Sequence, residues 1–253
     1  MCKKWKLTKL AYINLAVGFV VVALAAAVVV LALRLGAGRD TRNDFRKYYD
    51  NKVQSYGVQN SNLSKGQIVF VGDSITDLYI LDDHYKGLNR ACYNRGIGGD
   101  TTAGVLKRLQ VSVFDLKPSA VVLMIGTNDI NGKVPEAEIL ERYSRIVASI
   151  REALPETKLY CISLIPQNKQ LEEYTDIDVD STTAAILQIN PKICRIAEDA
   201  GGVYVDLFPL LADEEHFLLP EYSDDGIHLN ETGLAVWTAQ MLPLLKENEK
   251  AIQ

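Results

Sequence analysis

Two short, wholly apolar runs constrain the fold of this chain most strongly. Residues 68–71 and 120–125 are too short for typical helices and contain no polar position that could face water, which is typical of strands buried on both faces of a sheet. Each run leads directly into a glycine and small polar residues. We therefore expect a parallel sheet that is covered by helices and that delivers polar side chains to one edge.

Strand and helix signals alternate along the rest of the chain. The predicted strands are 67–72, 91–95, 120–125, 158–164 and 203–207, and the predicted helices are one capped by Asp100, one over 136–154, one from Asn190 and Pro191 to Gly201, and one capped by Asn230. This alternation indicates an α/β fold with five parallel strands joined by helical crossovers. Sites in such folds lie at the carboxyl ends of the strands.

The N-terminus contains a long apolar segment. Residues 10–33 are apolar or small except for Asn14, and as a helix they would extend roughly 36 Å, enough to cross a bilayer. A cleaved signal peptide, the alternative, would have an apolar core of about 7–15 residues followed by a small-x-small cleavage site, which residues 33–36 do not provide. We therefore expect an uncleaved transmembrane signal anchor at residues 10–35 after a cytoplasmic tail at residues 1–9.

The orientation of this anchor follows from the size of its flanks. Basic residues occur on both sides of the apolar segment, so the positive-inside count alone does not decide it. A short tail before a large C-terminal region is typical of a signal anchor, and we expect a single-pass protein of the cell membrane with its catalytic domain outside the cytoplasm. Residues 36–66 would form a juxtamembrane helix and linker, either a stalk or a lid, and residues 67–253 the compact domain.

The charge of the chain argues against one class of function. The sequence has 27 basic and 32 acidic residues, and four of the lysines lie in the first nine positions. The domain itself is therefore more acidic than the net charge of −5 indicates. Because binding to a phosphate backbone needs a basic surface, we expect no nucleic-acid partner. No feature of the sequence specifies an oligomeric state.

The cysteines and the acidic stretches do not form a recognisable metal motif. Cys92, Cys161 and Cys194 are odd in number and lack Cys-x-x-Cys or Cys/His spacing, so we interpret them as small core residues. The stretch from Asp176 to Asp180 begins like a calcium loop but lacks the glycine at position six and the glutamate at position twelve. We therefore expect no metal and no cofactor.

The first candidate for chemistry is Ser74, directly after the first apolar run. The segment Gly72-Asp73-Ser74-Ile75 places a hydroxyl where a buried strand reaches the sheet edge. A serine is a weak nucleophile without a base, a group that orients the base, and donors for an oxyanion. The alternative is an ordinary turn in which Ser74 caps a helix.

Two loops after predicted strands could supply the oxyanion donors. In Asn94–Thr101 three glycines precede a helix, but Thr101 stands where a dinucleotide loop needs its last glycine. Glycine backbone can approach a ligand closely and direct N–H groups at an anion, and Gly99 is the expected donor. In Gly126–Asp129 the side-chain amide of Asn128 can be another donor, although an Asn-Asp turn is the alternative.

A base and its orienting carboxylate occur together near the C-terminus. His228 follows Asp225 by three positions with a glycine between them, which is close enough for the carboxylate to bind one ring nitrogen while the other faces Ser74. The order Ser, Asp, His along a chain is one of several that build this geometry. A purely structural His–Asp pair is the alternative.

Together these four segments resemble the SGNH hydrolases, also called GDSL esterases and lipases. The blocks are Gly72–Ile75, Gly98–Thr101, Gly126–Asp129 and Asp225–His228, in the family's order, and the glycine loop is similar to that of the platelet-activating-factor acetylhydrolase branch. The resemblance covers roughly residues 67–245 and leaves the apolar segment outside it.

The resemblance implies a fold, a reaction and a role for each residue. The fold would be the three-layer α/β/α, flavodoxin-like arrangement. Ser74 would be the nucleophile, His228 the base and then the acid, and Asp225 the group that orients His228. The oxyanion hole would consist of the N–H groups of Ser74 and Gly99 and the side chain of Asn128. The reaction would be hydrolysis of an ester of a glycan or lipid-like alcohol through an acyl-serine, without a metal.

Two other functions fit the same residues. An O-acyltransferase would use a hydroxyl of a cell-surface glycan in place of water as the acceptor. A catalytically dead, membrane-anchored glycan-binding protein would keep the fold without turnover, although the presence of Ser74, Asp225 and His228 argues against it.

Overall fold

The computed structural model of the protein describes residues 41–251, except residue 174. The predicted tail and the predicted anchor at residues 10–35 lie outside the described residues. Within the described part of the chain, no helix is both long enough and apolar enough to cross a membrane. The chain divides into two units, residues 1–50 and residues 51–253, and the sheet and the candidate site belong to the second.

The centre of the second unit is a parallel sheet of five strands in the order β2-β1-β3-β4-β5. The strands are β1 (Ile68–Gly72), β2 (Cys92–Gly96), β3 (Ala120–Met124), β4 (Lys158–Ile162) and β5 (Val203–Val205). The α/β class, the parallel sheet and the number of strands are those predicted from the sequence. The carboxyl ends of β1, β2 and β3 are neighbours in this sheet.

Helices connect the strands and flank the sheet. They are α1 (Thr41–Asn60), α2 (Ser74–Asp77), α3 (Leu81–His84), α4 (Thr102–Ser112), α5 (Thr127–Asn131), α6 (Glu136–Ala153), α7 (Val179–Asp199), α8 (Phe208–Leu211) and α9 (Glu231–Ala251), with short 3₁₀ turns at Phe114–Leu116, Lys169–Glu173 and Pro220–Tyr222. The first half of α1, residues 41–50, belongs to the first unit and the second half to the domain that contains the sheet.

Strands β1 and β3 are apolar throughout because each buries both faces. Val69 and Val71 of β1 belong to a core cluster with side chains of α4, α6 and α7. The alternate residues Ile68 and Phe70 belong to a second cluster with side chains of α9, including Trp237. Successive residues of a strand point to opposite faces, so helices cover the sheet on both sides, as the apolar runs predict.

One helix start predicted from the sequence is wrong by one residue. The helix α4 is capped by Thr101, whose hydroxyl accepts a hydrogen bond from the Gly104 N–H at 3.3 Å, and not by Asp100. Asp100 is instead turned inward, where its carboxylate accepts a hydrogen bond from Arg108 at 2.7 Å. The buried charge pair therefore takes the side chain away from the capping position.

A second helix begins earlier than predicted. The predicted start at Asn190 and Pro191 is wrong, because α7 starts at Val179 with Asp178 as its cap and contains Pro191 in its interior. The Asn190 side chain hydrogen-bonds both the N–H and the carbonyl of Leu164 after β4, at 2.8 and 2.9 Å. Asn190 is thus a tether between helix and sheet.

The last helix has the predicted cap. Asn230 precedes α9, and its side-chain oxygen accepts hydrogen bonds from the N–H groups of Thr232 and Gly233 at 3.0 and 3.2 Å. These bonds satisfy donors in the first turn that have no partner within the helix. The cap sets where the chain leaves the turn that carries His228.

Candidate active site

Ser74 lies at the carboxyl edge of the sheet, in a turn too tight for any residue but glycine at its start. A Cβ atom on Gly72 would lie 2.2 Å from the Thr76 hydroxyl oxygen and 2.5 Å from the carbonyl oxygen of Met124. The chain therefore passes directly from β1 into α2, whose first residue is Ser74. Asp73 caps this helix by accepting a hydrogen bond from the Ile75 N–H at 3.0 Å.

The structure brings His228 and Asp225 to this serine. The Nε2 atom of His228 lies 2.8 Å from the Oγ atom of Ser74, and its Nδ1 atom lies 2.6 Å from a carboxylate oxygen of Asp225. The second carboxylate oxygen of Asp225 accepts hydrogen bonds from the backbone N–H groups of Ile227 and His228, at 3.0 and 2.8 Å. These bonds, with Gly226 at a φ of +85°, fold the loop so that the carboxylate faces the ring.

The surroundings of Asp225 keep it ionised. Partial burial raises its pKa, but the hydrogen bonds from the His228 ring and from the N–H groups of His228 and Ile227 outweigh that effect, and the pKa falls to about 2. An ionised carboxylate accepts a hydrogen bond from the Nδ1–H of the imidazole, and this leaves Nε2 without a proton, so that Nε2 can accept one from a hydroxyl. This tautomer is the one a general base requires.

The groups predicted as oxyanion donors follow three neighbouring strands. Ser74 follows β1, Gly99 follows β2 and Asn128 follows β3. As the first residue of a helix, Ser74 has an N–H without an acceptor inside that helix, and the Gly99 N–H has no hydrogen-bond acceptor among the described residues. The side-chain nitrogen of Asn128 donates to the carbonyl of Asp100 at 2.9 Å, which leaves its second N–H for another acceptor.

A buried arginine that the sequence analysis did not single out supports both loops. Arg108 of α4 pairs with Asp100 at 2.7 Å and donates to the carbonyl oxygens of Gly72 and Arg95 at 2.9 and 2.7 Å. It thereby ties the ends of β1 and β2 to the loop that carries Gly99. The signal in the sequence was a charged residue between Val105 and Leu109, on the apolar side of the predicted helix.

Asp73, next to Ser74, has an unusual environment. It is 1% exposed, and its second carboxylate oxygen has no hydrogen-bond partner among the described residues. Burial, with a smaller contribution from nearby Asp100, raises its pKa to about 7, although the Ile75 N–H and His228 act in the opposite direction. A carboxyl group that is about half protonated near neutrality therefore directly precedes the candidate nucleophile in the chain.

One group of three carboxylates has the spacing that could coordinate a metal ion. Glu172, Asp178 and Asp180 lie close together on the surface. Lys169 forms ion pairs with Glu172 at 2.8 Å and with Asp180 at 2.6 Å. Because an ammonium group already pairs with two of the three carboxylates, nothing in this cluster points to a metal ligand set.

The geometry defines a class of protein, a Ser-His-Asp hydrolase built on a parallel α/β sheet. The sequence profile described as "GDSL-like Lipase/Acylhydrolase family" matches residues 70–236. The chain belongs to this family, which is a family of carboxylic ester hydrolases, and both the family and the enzyme class predicted from the sequence are confirmed.

The relatives include platelet-activating-factor acetylhydrolases. The chain is 27% identical over 154 residues to platelet-activating factor acetylhydrolase IB subunit alpha1 of Bos taurus, covering 59% of this chain and 66% of that protein. It is 32% identical over 106 residues to subunit alpha2 of Homo sapiens, covering 41% of this chain and 45% of that protein. The chain thus spans less than two thirds of the length of these relatives. The predicted resemblance to the acetylhydrolase branch is confirmed.

Solved structures have the same fold. One named for platelet activating factor, from Streptococcus pneumonia, superposes with a TM-score of 0.74 at 27% identity and covers 85% of this chain and 99% of that chain. Axe2, an acetylxylan esterase from Geobacillus stearothermophilus, superposes with a TM-score of 0.58 at 20% identity and covers 72% of this chain and 94% of that chain. At that identity the second match shows the fold alone.

Proposed function

We propose that this protein is a membrane-anchored serine esterase that cleaves a small acyl group, such as acetyl, from a glycan or lipid-like alcohol. The observation that carries the proposal is the chain of contacts from Ser74 through His228 to Asp225, at 2.8 and 2.6 Å. A hydroxyl, an imidazole and an ionised carboxylate in this order are what acyl transfer through a serine requires.

The first half of the reaction forms the acyl-serine. The Ser74 hydroxyl attacks the ester carbonyl while Nε2 of His228 removes its proton, and Asp225 stabilises the imidazolium that results. The N–H groups of Ser74 and Gly99 and the side chain of Asn128 hold the negative oxygen of the tetrahedral intermediate. The alcohol leaves with the proton from His228.

The second half releases the acid. His228 takes a proton from water, the hydroxide attacks the acyl-serine through the same oxyanion hole, and Ser74 recovers its proton when the acid departs. If a sugar hydroxyl replaces water at this step, the product is an acylated glycan. The same residues would then perform acyl transfer.

One observation supports a small acyl group as substrate: the curated relatives are named acetylhydrolases. The alcohol would then be the larger part of the substrate, and the acidic charge of the domain disfavours strongly anionic alcohols.

The apolar segment supports the membrane part of the proposal. Residues 10–33 have the length and composition of a bilayer-spanning helix, and a short tail before a large C-terminal domain is typical of a signal anchor with that domain outside the cytoplasm. Fractionation of expressing cells tests this. We expect the full chain to stay with the membrane in carbonate, and protease added to intact cells to remove the domain. Release by carbonate, or protection from the protease, would contradict the anchored, outward arrangement.

Ester turnover by the full chain tests the function. In a mild detergent, we expect hydrolysis of p-nitrophenyl acetate to exceed that of the butyrate and octanoate esters. Ser74→Ala and His228→Ala should each lower kcat by several orders of magnitude, since a single triad loss in subtilisin costs about 10⁶.

The matched control is Ser64→Ala, which removes an exposed serine hydroxyl before β1 and should leave kcat unchanged. Turnover in the wild type no faster than in Ser74→Ala would contradict the proposal. Release of p-nitrophenol that requires an added glycan would contradict hydrolysis and favour acyl transfer.

A further inference from the structure

The second half of α1 contacts the helix that begins with Ser74. The helix α1 precedes the family-matched region, residues 70–236. The Nζ atom of Lys52 donates a hydrogen bond to a carboxylate oxygen of Asp77 at 2.6 Å, and the two side chains are 33% and 16% exposed. Asp77 is the last residue of α2, so this ion pair fixes the end of the helix that presents Ser74.

The same half of α1 contacts the end of β2. The Tyr56 hydroxyl donates to the carbonyl oxygen of Gly96, and the Arg95 guanidinium lies over the Tyr56 ring with its carbon 4.6 Å from the ring centre. Arg95 also donates to the side chain of Asn60 at 3.0 Å. The helix is therefore attached at two points of the site, one beside the serine and one where the glycine loop begins.

The carboxylate of Asp77 joins these two points. While one of its oxygens binds Lys52, the other accepts a hydrogen bond from the backbone N–H of Gly98 at 3.2 Å. The end of β2 and the end of α2 are also in very close contact. A Cβ atom on Gly96 would lie only 2.2 Å from the backbone nitrogen of Asp77. Asp77 thus connects the lysine of α1 to the residue immediately before Gly99.

The backbone at this point determines where the Gly99 N–H points. The Asp100 N–H donates to the carbonyl of Ile97 at 3.1 Å, and Gly99 at the third position of this turn has a φ of +74°, as a type II turn requires. Types I and II differ by a flip of the peptide between the second and third residues, here Gly98 and Gly99. That flip would direct the Gly99 N–H to the opposite side.

We propose that Lys52 is a positioning residue for the oxyanion hole. It holds Asp77 where the carboxylate keeps the Gly98 N–H in place, and the turn then keeps the Gly99 N–H directed at the oxyanion. Lys52 touches no substrate and acts through Asp77. The inference rests on the proposed function for the role of Gly99, but its geometric part, that Lys52 holds the glycine loop, does not.

Kinetics of the full chain with p-nitrophenyl acetate test the inference. We expect Lys52→Met to lower kcat about tenfold, a part of the 10²–10³ that one oxyanion donor contributes, with KM within a factor of two and the melting temperature unchanged. Lys52→Arg should restore most of the rate. The control, Lys47→Met, removes an exposed lysine of the same helix and should behave as wild type.

A double-mutant cycle tests whether Lys52 acts through Asp77. In an Asp77→Asn background, Lys52→Met should lower kcat by less than twofold, because the two effects share one path. A full tenfold loss in that background would overturn the proposal. So would a Lys52→Met variant that matches Lys47→Met, or one whose loss is accompanied by a higher KM and a lower melting temperature.

Amide hydrogen exchange gives a readout that needs no turnover. In Lys52→Met the peptide covering residues 96–101 should exchange at least several times faster than in wild type and in Lys47→Met. Unchanged exchange would overturn the inference whether or not the protein hydrolyses esters. A wild type without turnover would count against the proposed function, and the exchange rates would still decide whether Lys52 holds the loop.

Discussion

His228 and Ser74 are 154 positions apart in the sequence, yet Nε2 of the histidine lies 2.8 Å from Oγ of the serine. The contact joins the edge of β1, where the Gly72 turn presents the serine, to the loop before α9, which Asn230 caps. The two ends of the domain must therefore be packed correctly before the pair can form. Stability of the sheet edge and activity are coupled for this reason.

Asp225→Asn should lower kcat by about 10⁴ without loss of folding. The amide would stabilise the wrong tautomer of the His228 imidazole. In trypsin, the same Asp→Asn change in the triad lowers kcat by about 10⁴ for this reason. The measurement is steady-state hydrolysis of p-nitrophenyl acetate together with a melting curve. Asp224→Asn is the matched control. The carboxylate of Asp224 accepts a hydrogen bond from the Asn230 side chain at 3.3 Å and does not contact the His228 ring. Equal losses in the two variants would contradict the role of Asp225.

Asn128→Ala should lower kcat about 10²–10³-fold with little change in KM. An oxyanion donor contributes in the transition state more than in the ground state, and Asn128 lies beside the glycine loop through its bond to Asp100 at 2.9 Å. Asn51→Ala, at an exposed position of α1, is the control. A large rise in KM with an unchanged kcat would indicate ground-state binding instead.

Arg108→Met should lower the free energy of unfolding by about 3–5 kcal/mol. The change leaves the buried Asp100 carboxylate uncompensated, and it also removes the donor for the Gly72 and Arg95 carbonyls. Denaturant titration measures the loss. Arg145→Met, which breaks an ion pair whose side chains are 62% and 56% exposed, should cost less than about 1 kcal/mol. Equal costs would contradict the supporting role of Arg108.

Asp73→Asn should change how stability depends on pH. Because the pKa of Asp73 is about 7 in the folded protein and about 4 in an unfolded chain, the unfolded state ionises first. The wild type therefore loses stability from this group as pH rises from about 4 to 7, at up to roughly 1.4 kcal/mol per pH unit.

The variant lacks this loss, so its stability relative to wild type should rise over that interval and level off above it. Denaturant titrations at several pH values measure the difference. Asp199→Asn, at an exposed position, should show no such trend. A constant difference between Asp73→Asn and wild type from pH 4 to 8 would show that Asp73 is ionised like a surface carboxylate.

Much of this site is visible in the sequence because its parts are local. A strand buried on both faces must be apolar throughout, so β1 and β3 stand out, and the polar residues after them lie at the sheet edge by topology alone. The loop from Asp225 to His228 is equally local, because its hydrogen bonds span only two or three residues.

The remaining features depend on contacts between distant segments. Asp100 is a good capping residue by type, and only the presence of Arg108 eight positions later turns it inward. Pro191 is typical of a first turn, yet it lies inside α7 because Asp178 caps the helix earlier. The contact from Lys52 to Asp77 joins segments 25 positions apart, and no local pattern indicates it.

The proposed mechanism requires that an acyl group becomes covalently attached to Ser74 during turnover. The direct measurement is mass spectrometry of the full chain, quenched in acid during turnover of p-nitrophenyl acetate and digested. We expect the peptide that contains Ser74 to carry one acetyl group in the wild type and none in Ser74→Ala. Turnover without an acetylated peptide, or with the acetyl group on another residue, would contradict an acyl-serine mechanism.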